Sequence, residues 1–507
     1  MKYFYIILFV FSSLLSFGQT ASQDSSKVYK KKVLEAVEVD FLMSFYSQRG
    51  QHSAVGGGIG SEKLTDNTPT LVVNIPLSDD NVLTIDAGIS AYSSASSSNV
   101  NPFYTQPVKT QRGSTIIVQT GASQRGAANL ETSAADDDVN DDDDMVAGPK
   151  PIGSPWYASS GASKSDALKS LNISYAHSSD DRNEIISVNA GVSKEYDYSS
   201  LSFGAAYTRL FNQQNTELSI KGAVYLDQWA VIYPTELNEY SLHGGDFLNS
   251  GYFSGVEIYD QDMNVTTDAY NPAAFSSMGN SNRNSYTASL GFSQILSRNL
   301  QISVFMDLIV QNGLLSTPYQ RVYFKDRSNY FIGQSSDIAY YETTANDGVF
   351  HLADDVERLP GTRFKVPVGI RLNYYFNEII TFRGYYRYYK DDWGLESQTA
   401  SIEMPIKVSQ KFTFYPSYRY YIQTQADYFA PYNTHLSTEQ YYTSDYDLST
   451  FNSKSIGFGV SYTDIFTSFK IFKLGMKSID LRYQNYQRSD GLKSNIISFG
   501  FSFVVDK

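Results

Sequence analysis

Cysteine occurs nowhere in the 507 residues, which removes three chemistries at once. The chain has no disulfide, no thiolate metal ligand and no residue to carry a lipoprotein anchor. Long apolar runs are missing beyond the first few residues: no later stretch approaches the ~18 consecutive apolar residues of a spanning helix, and mean hydropathy is −0.31. Basic charge is also in deficit, since 40 Lys and Arg stand against 53 Asp and Glu for a net charge of −13. Nucleic acid is therefore not an expected partner, because binding phosphates needs a basic footprint. Histidine is scarce, at five: His52, His177, His243, His351 and His435. No phosphate loop, dinucleotide fingerprint or zinc spacing is present. None of the histidines accompanies a G-x-S-x-G elbow.

What is present is alternation. Phe364, Val366, Val368, Ile370, Leu372, Tyr374 and Phe376 share one parity, while Lys365, Pro367, Gly369, Arg371 and Asn373 take the other. Successive strand side chains point to opposite faces, so one face is apolar and the other wet. Such segments recur from Ala36 to Val505, at 36–49, 69–76, 82–92, 168–178, 184–194, 200–210, 216–227, 285–296, 299–311, 364–376, 379–390, 394–404, 411–422, 454–466, 478–488 and 494–505. Only helices and closed barrels satisfy the backbone in lipid, and helical spans are excluded. The expectation is an all-β fold: a transmembrane antiparallel up-and-down barrel of about 16 strands with long extracellular loops. The 41 Tyr and 31 Phe suit the aromatic girdles of such a wall.

The chain start says where it goes. Lys2, the apolar stretch Tyr3–Phe17 and the small residues Ser16 and Gly18 spell a secretory signal, with a cut between Gly18 and Gln19. The expected organisation is a signal peptide over 1–18, a periplasmic segment over 19–35 and an outer-membrane barrel over 36–507. The four long gaps, 93–167, 228–284, 312–363 and 423–453, all follow odd-numbered segments, whereas links such as Ser78-Asp79-Asp80-Asn81 and Asn212-Gln213-Gln214-Asn215 are turn-like. With the N-terminus in the periplasm, the long loops lie outside the cell. The last segment sets Ile497, Phe499, Phe501, Phe503 and Val505 on one face, resembling the C-terminal signal read by barrel-assembly machinery, and membrane lipid is the other expected partner.

Function must sit on the wet parity or in the loops. Segments ten to thirteen place Lys365, Arg371, Arg383, Arg387 and Arg419 on the wet face, with no acid among the inward positions assigned, while segments one and three supply Glu38, Asp40 and Asp86. Segment eleven lies opposite segment three in such a ring, so a basic wall faces an acidic one. Sixteen strands leave width for an aqueous channel. Against this stands sealing of the lumen, with the charges paired to one another or to an infolded loop. The loop 93–167 carries Asp136-Asp137-Asp138-Val139-Asn140-Asp141-Asp142-Asp143-Asp144. Asp136, Asp138, Asp142 and Asp144 are candidate ligands for a divalent cation, with Asn140 at a third EF-hand offset. The motif then fails, with Asp141 where glycine is needed and Ala147 at the twelfth place. A like-charged run is usually a solvated one. No other cofactor is expected.

The same loop repeats Thr120-Gly121-Ala122-Ser123 as Ser160-Gly161-Ala162-Ser163, just after Ser154-Pro155-Trp156-Tyr157. With the tyrosine-rich strands and the Phe17-Gly18-Gln19 cleavage site, these phrases resemble a family of Bacteroidota outer-membrane barrels defined only as a domain of unknown function. The resemblance covers nearly the whole mature chain. It implies a setting beside flavin-attaching and thioredoxin-like proteins, in an extracytoplasmic redox system, and it brings no catalytic or ligand residues.

Three functions remain. A channel or export pore for small solutes accounts for the width and the charged lumen. A surface scaffold or adhesin accounts for the long loops. An outer-membrane hydrolase would use Ser–His or Asp–His at the outer rim, where four of the histidines fall, but a loop histidine reads as a solvated surface residue. No enzyme is expected. The residues ahead of the first segment are too few for the plug of an energised receptor.

Overall fold

The structure is a computed structural model that describes residues 32–93, 107–109, 115–119, 129–133, 165–250, 253, 255–266, 270–279, 281–333, 335–340 and 349–505. The signal segment with its Gly18–Gln19 cut and the acidic run with Asp136, Asp138, Asp142 and Asp144 lie outside the described residues.

Sixteen long strands follow one another around a single closed sheet. They are β1 (Glu38–Arg49), β2 (Leu64–Pro76), β3 (Asn81–Ser93), β4 (Ser165–Ser178), β5 (Glu184–Lys194), β6 (Tyr198–Phe211), β7 (Thr216–Trp229), β8 (Asn282–Ser297), β9 (Leu300–Gly313), β10 (Thr362–Tyr375), β11 (Thr381–Asp391), β12 (Glu396–Glu403), β13 (Phe412–Gln423), β14 (Phe451–Thr463), β15 (Leu474–Arg488) and β16 (Lys493–Val505). Every strand pairs antiparallel with its chain neighbours, and β16 closes the ring on β1, from Glu38↔Val504 to Arg49↔Lys493. No edge is left in the ring of described strands, so the wall exposes no row of unpaired backbone groups to lipid. Across the seam Phe41 meets Phe501 at 6.4 Å and Phe45 meets Phe499 edge-on at 6.1 Å.

Alternation sorts the side chains. Ile173, Ile186, Val188, Leu201, Ile220 and Leu290 are exposed on the outer face, where lipid would cover them. Two outward ion pairs sit at strand ends: Arg209 with Glu184 at 2.6 Å, Lys390 with Glu396 at 2.7 Å. A cation on the lipid face costs ~2–4 kcal/mol at mid-membrane and almost nothing at the interface, which accounts for their position.

The links also sort. One end carries 50–63, 94–164, 195–197, 230–281, 314–361, 392–395, 424–450 and 489–492; the other carries 77–80, 179–183, 212–215, 298–299, 376–380, 404–411 and 464–473. We call these the loop end and the turn end. The 93–167 connection contains a three-stranded sheet, Pro107–Lys109, Thr115–Gln119 and Asn129–Ser133, and the 230–281 link contains helix α1, Thr235–His243.

The loops 230–281, 314–361 and 424–450 pack into a cap with its own apolar core. Leu237 of α1, Phe247, Phe253, Ile258, Tyr270, Phe350 and Val356 are sealed from solvent together. Two further clusters, Leu315–Leu359–Trp393–Ala426 and Val322–Phe324–Tyr442, tie the 314–361 and 424–450 loops into it.

Candidate functional site: the loop cap and the lumen beneath it

One buried ion pair holds the cap. Arg321 and Glu236 both have side chains with no solvent exposure. Arg321 Nε donates to Glu236 Oε1 at 2.7 Å and Nη2 to Oε2 at 3.0 Å, a bidentate fork, while Nη1 donates to the Val55 carbonyl at 3.1 Å. Glu236 Oε1 also accepts from the Ala353 amide at 3.2 Å. Burial works against both charges and the fork works for them. Three loops, 50–63, 230–281 and 314–361, therefore meet on one guanidinium.

Asp355, equally buried, is forked by Arg358 at 3.1 and 2.9 Å, but three other carboxylates of the cap lack such a partner. Glu357 accepts from the Thr317 amide at 2.7 Å and the Thr443 hydroxyl at 2.6 Å, yet burial, followed by repulsion from Asp445, pushes its carboxyl up to about 8. Asp354 accepts from the Phe324 amide at 2.8 Å and is pushed up to about 7 by burial. Burial and the neighbouring Asp447 raise Asp445 to about 7. His351, stacked on Tyr323 at 4.3 Å, is pushed down to about 3 by burial and stays neutral.

The cap leans into the mouth. Gln423, on the inner face of β13, donates to the Asp447 and Ser449 carbonyls at 2.9 and 2.5 Å. Arg488 of β15 lies 3.8 Å over the Phe451 ring and pairs with Asp447 and Asp490. Trp393 donates to the Thr362 carbonyl at 3.0 Å with Arg363 4.1 Å above its ring. The inward side chains Ser397, Thr399, Ser453 and Ser494 are buried beneath this roof.

Under the roof lie two cavities. A cavity of about 480 Å³ runs between the cap residues Val55, Tyr319 and Asp445 and the wall residues Tyr46, Tyr92 and Arg488. A second, of about 540 Å³, is lined by Arg371, Arg383, Arg419, Glu403, Tyr385 and Gln484, and shares Tyr46 and Tyr486 with the first.

The register places Glu38, Asp40, Asp86, Lys365, Arg371, Arg383, Arg387 and Arg419 on the inner face. Glu38 pairs with Lys477 at 2.6 Å, Asp40 accepts from the Ser502 hydroxyl, and Arg383 pairs with Glu403 at 2.8 Å. Arg371, Arg387 and Arg419 have no carboxylate partner among the described residues. On the same face β1–β4 also carry Asp66 and Asp166, and β10 carries Arg363. The basic arc and the acidic arc are thus both larger than the sequence pattern indicated.

Two expectations need correction. The basic arc is not free of acids: Asp391 and Glu403 face inward on β11 and β12, and Glu403 serves both Arg383 and Arg482, the latter at 3.0 Å. Nor are all the loop histidines solvated. His351 and His435 are buried at 1% and 3% exposure, because the cap has a core of its own. His351 Nδ1 meets the Tyr432 hydroxyl at 2.6 Å and His435 Nε2 donates to the Thr443 carbonyl at 2.9 Å. Among the described residues no group of three or more His, Asp or Glu is arranged to hold a metal ion.

The closed ring, apolar outer belt and charged interior define a transmembrane β-barrel of the outer-membrane class. Within that class the chain belongs to the family described as "Protein of unknown function (DUF3570)", whose model matches residues 7–495. No curated protein matches it. Among solved structures it is similar to a bacterial polysaccharide outer membrane secretin, at 7% identity over 92% of this chain and 98% of that one, with a TM-score of 0.38. OpdK of Pseudomonas aeruginosa, solved with vanillate, is similar at 9% identity over 92% and 98%, TM-score 0.33. A BenF-like porin from Pseudomonas fluorescens Pf-5 is similar at 7% over 93% and 100%, TM-score 0.34. At these values the likeness carries no statement about cargo.

Proposed function

We propose that this barrel is a channel for small solutes, that its turn end faces the periplasm and its loop end the exterior, and that the loop cap is its gate. The observation that carries the reading is the pair of cavities beneath the cap and the charges around the interior: guanidiniums without carboxylate partners on β10–β13 and carboxylates across from them on β1–β4. A sealed structural barrel would pair these charges or fill the space with apolar side chains. Sixteen strands enclose enough width for water. Low-dielectric walls focus the field of the two arcs across it.

Charge reversal tests this. Arg383→Glu with Arg387→Glu replaces two positive charges by two negative ones on the basic arc. In planar bilayers the reversal potential under a salt gradient is expected to move toward cation selectivity. Unchanged selectivity in a conducting protein sinks the field argument. A barrel that admits no small solute in liposome swelling, even with its cap loosened, sinks the channel.

A further inference from the structure

We infer that the 540 Å³ lumen cavity is a binding site for a small polyhydroxylated carboxylate, of the sugar-acid class; this rests on the channel reading and names what the channel selects. The wall around the cavity is built in two adjacent cross-strand rows. One runs Arg371↔Tyr385↔Ser401↔Arg419↔Ser455↔Tyr486, the next Asn373↔Arg383↔Glu403↔Ser417↔Gly457↔Gln484. Arginines flank the cavity and small hydroxyl-bearing residues lie between them.

Charge sets the sign of the ligand. Glu403 is the one carboxylate on the cavity wall, and Arg383 and Arg482 both occupy it. Arg371 and Arg419 keep their guanidinium donors free of carboxylate. They stand three strand steps apart, roughly 14 Å between backbones at ~4.8 Å per step, so a ligand of a few carbons fits between them.

Arg371 is held in position by the wall. Its guanidinium lies 5.2 Å over Phe305 and 5.9 Å over Tyr385, whose rings stack at 6.0 Å. The Phe305 ring occupies the space beside Gly369, where any Cβ would meet ring atoms at 2.2–2.9 Å. A planar cation fixed against aromatic faces keeps its edge for a carboxylate.

One row nearer the cap and outside the cavity lining, Arg387 Nε and Thr399 Oγ1 are cross-strand partners buried with no hydrogen-bond partner, so the wall above the site is itself polar. The lining also offers hydroxyls and amides, from Ser401, Ser417, Ser455, Asn373, Gln484 and Tyr486, beside Tyr46, Tyr418, Ile402 and Ile496. Those hydroxyls and amides are met by a ligand covered in hydroxyl groups, whereas a bare aromatic acid would leave them unmet.

The test is calorimetry on the whole detergent-solubilised barrel with glucuronate, glucose and benzoate as probes, run beside single-channel recording. Glucuronate is expected to bind at least ~10-fold more tightly than either of the others. Arg371→Gln with Arg419→Gln should weaken it on the order of 100-fold, as removing the partners of a desolvated anion does, while heat-modifiable migration shows the barrel intact. Equal binding of glucose removes the anion requirement and overturns the proposal. Equal binding of benzoate overturns the ligand class, and unchanged affinity in the double variant overturns the site. If the protein conducts but glucuronate yields no heat, the site falls and the channel stands. If glucuronate binds but no condition gives current or flux, the channel falls and the site stands.

Discussion

Replacing Arg321 by methionine is expected to open the cap without unfolding the barrel. Methionine roughly matches the aliphatic length but carries no charge, so Glu236 would be left with the Ala353 amide and no counter-ion in a fully buried position. Removing one partner of a buried pair costs ~3–5 kcal/mol, a factor of about 10²–10⁴ in the closed-to-open ratio. The cost falls on the junction of three loops, because Arg321 also holds the Val55 carbonyl. The wall depends on none of these bonds. Single-channel open probability and protease sensitivity of 230–281 and 314–361 in intact membranes should both rise, with heat-modifiable migration unchanged. Pairing Arg321→Met with Glu236→Leu removes the stranded charge, and closure should return in large part. Wild-type current and a protease-resistant cap in Arg321→Met would show that the pair is not the latch.

The wall was legible in the sequence because its period is written in most segments. Strand β10 shows why: its outward side chains, Phe364 to Tyr374, are uniformly apolar or aromatic, and one face in lipid leaves no other choice. Strand β12 shows the limit. Its outward positions hold Gln398, Ala400 and Ile402 against inward Ser397, Thr399 and Ser401, a contrast too weak to fix parity, so Glu403 went unassigned. The cap was illegible for a different reason. Leu237, Phe247, Tyr270 and Phe350 make one core from irregular backbone, with no period to read. The Arg321–Glu236 contact joins residues 85 apart in sequence, which no local spacing announces. Buried His351 and His435 follow from that same unseen core. The lumen site falls between these cases: its arginines could be placed by parity, but which of them Glu403 already occupies required the register.

The cap should also loosen as pH rises, most clearly between about 6.5 and 8. Glu357 goes from an ordinary 4.5 to about 8 in the closed cap, and Asp354 from 3.8 to about 7. The closed form therefore keeps protons that solvated, open loops release. Stability from these groups is fully present below pH ~4 and is lost as pH climbs through 7 to 8. For Glu357 alone the shift corresponds to roughly 4–5 kcal/mol at ~1.4 kcal/mol per pH unit, and Asp445, raised to about 7, adds in the same direction. His351 works in the opposite sense below its ordinary 6.5, because opened loops would protonate it and the closed cap holds it neutral down to about 3. Above 6.5 it is neutral in both forms and silent, leaving the carboxylates to set the slope. Open probability recorded at fixed salt from pH 6 to 8.5 should rise steeply and reversibly. Glu357→Gln keeps an amide in contact with Thr317 and Thr443 but has no proton to lose, so its curve should be flatter and lie toward the closed state at pH 8. An open probability that is flat across this window in the wild-type protein, or a Glu357→Gln curve that overlays it, would remove the carboxylates from the gate and leave Arg321 as its only identified latch.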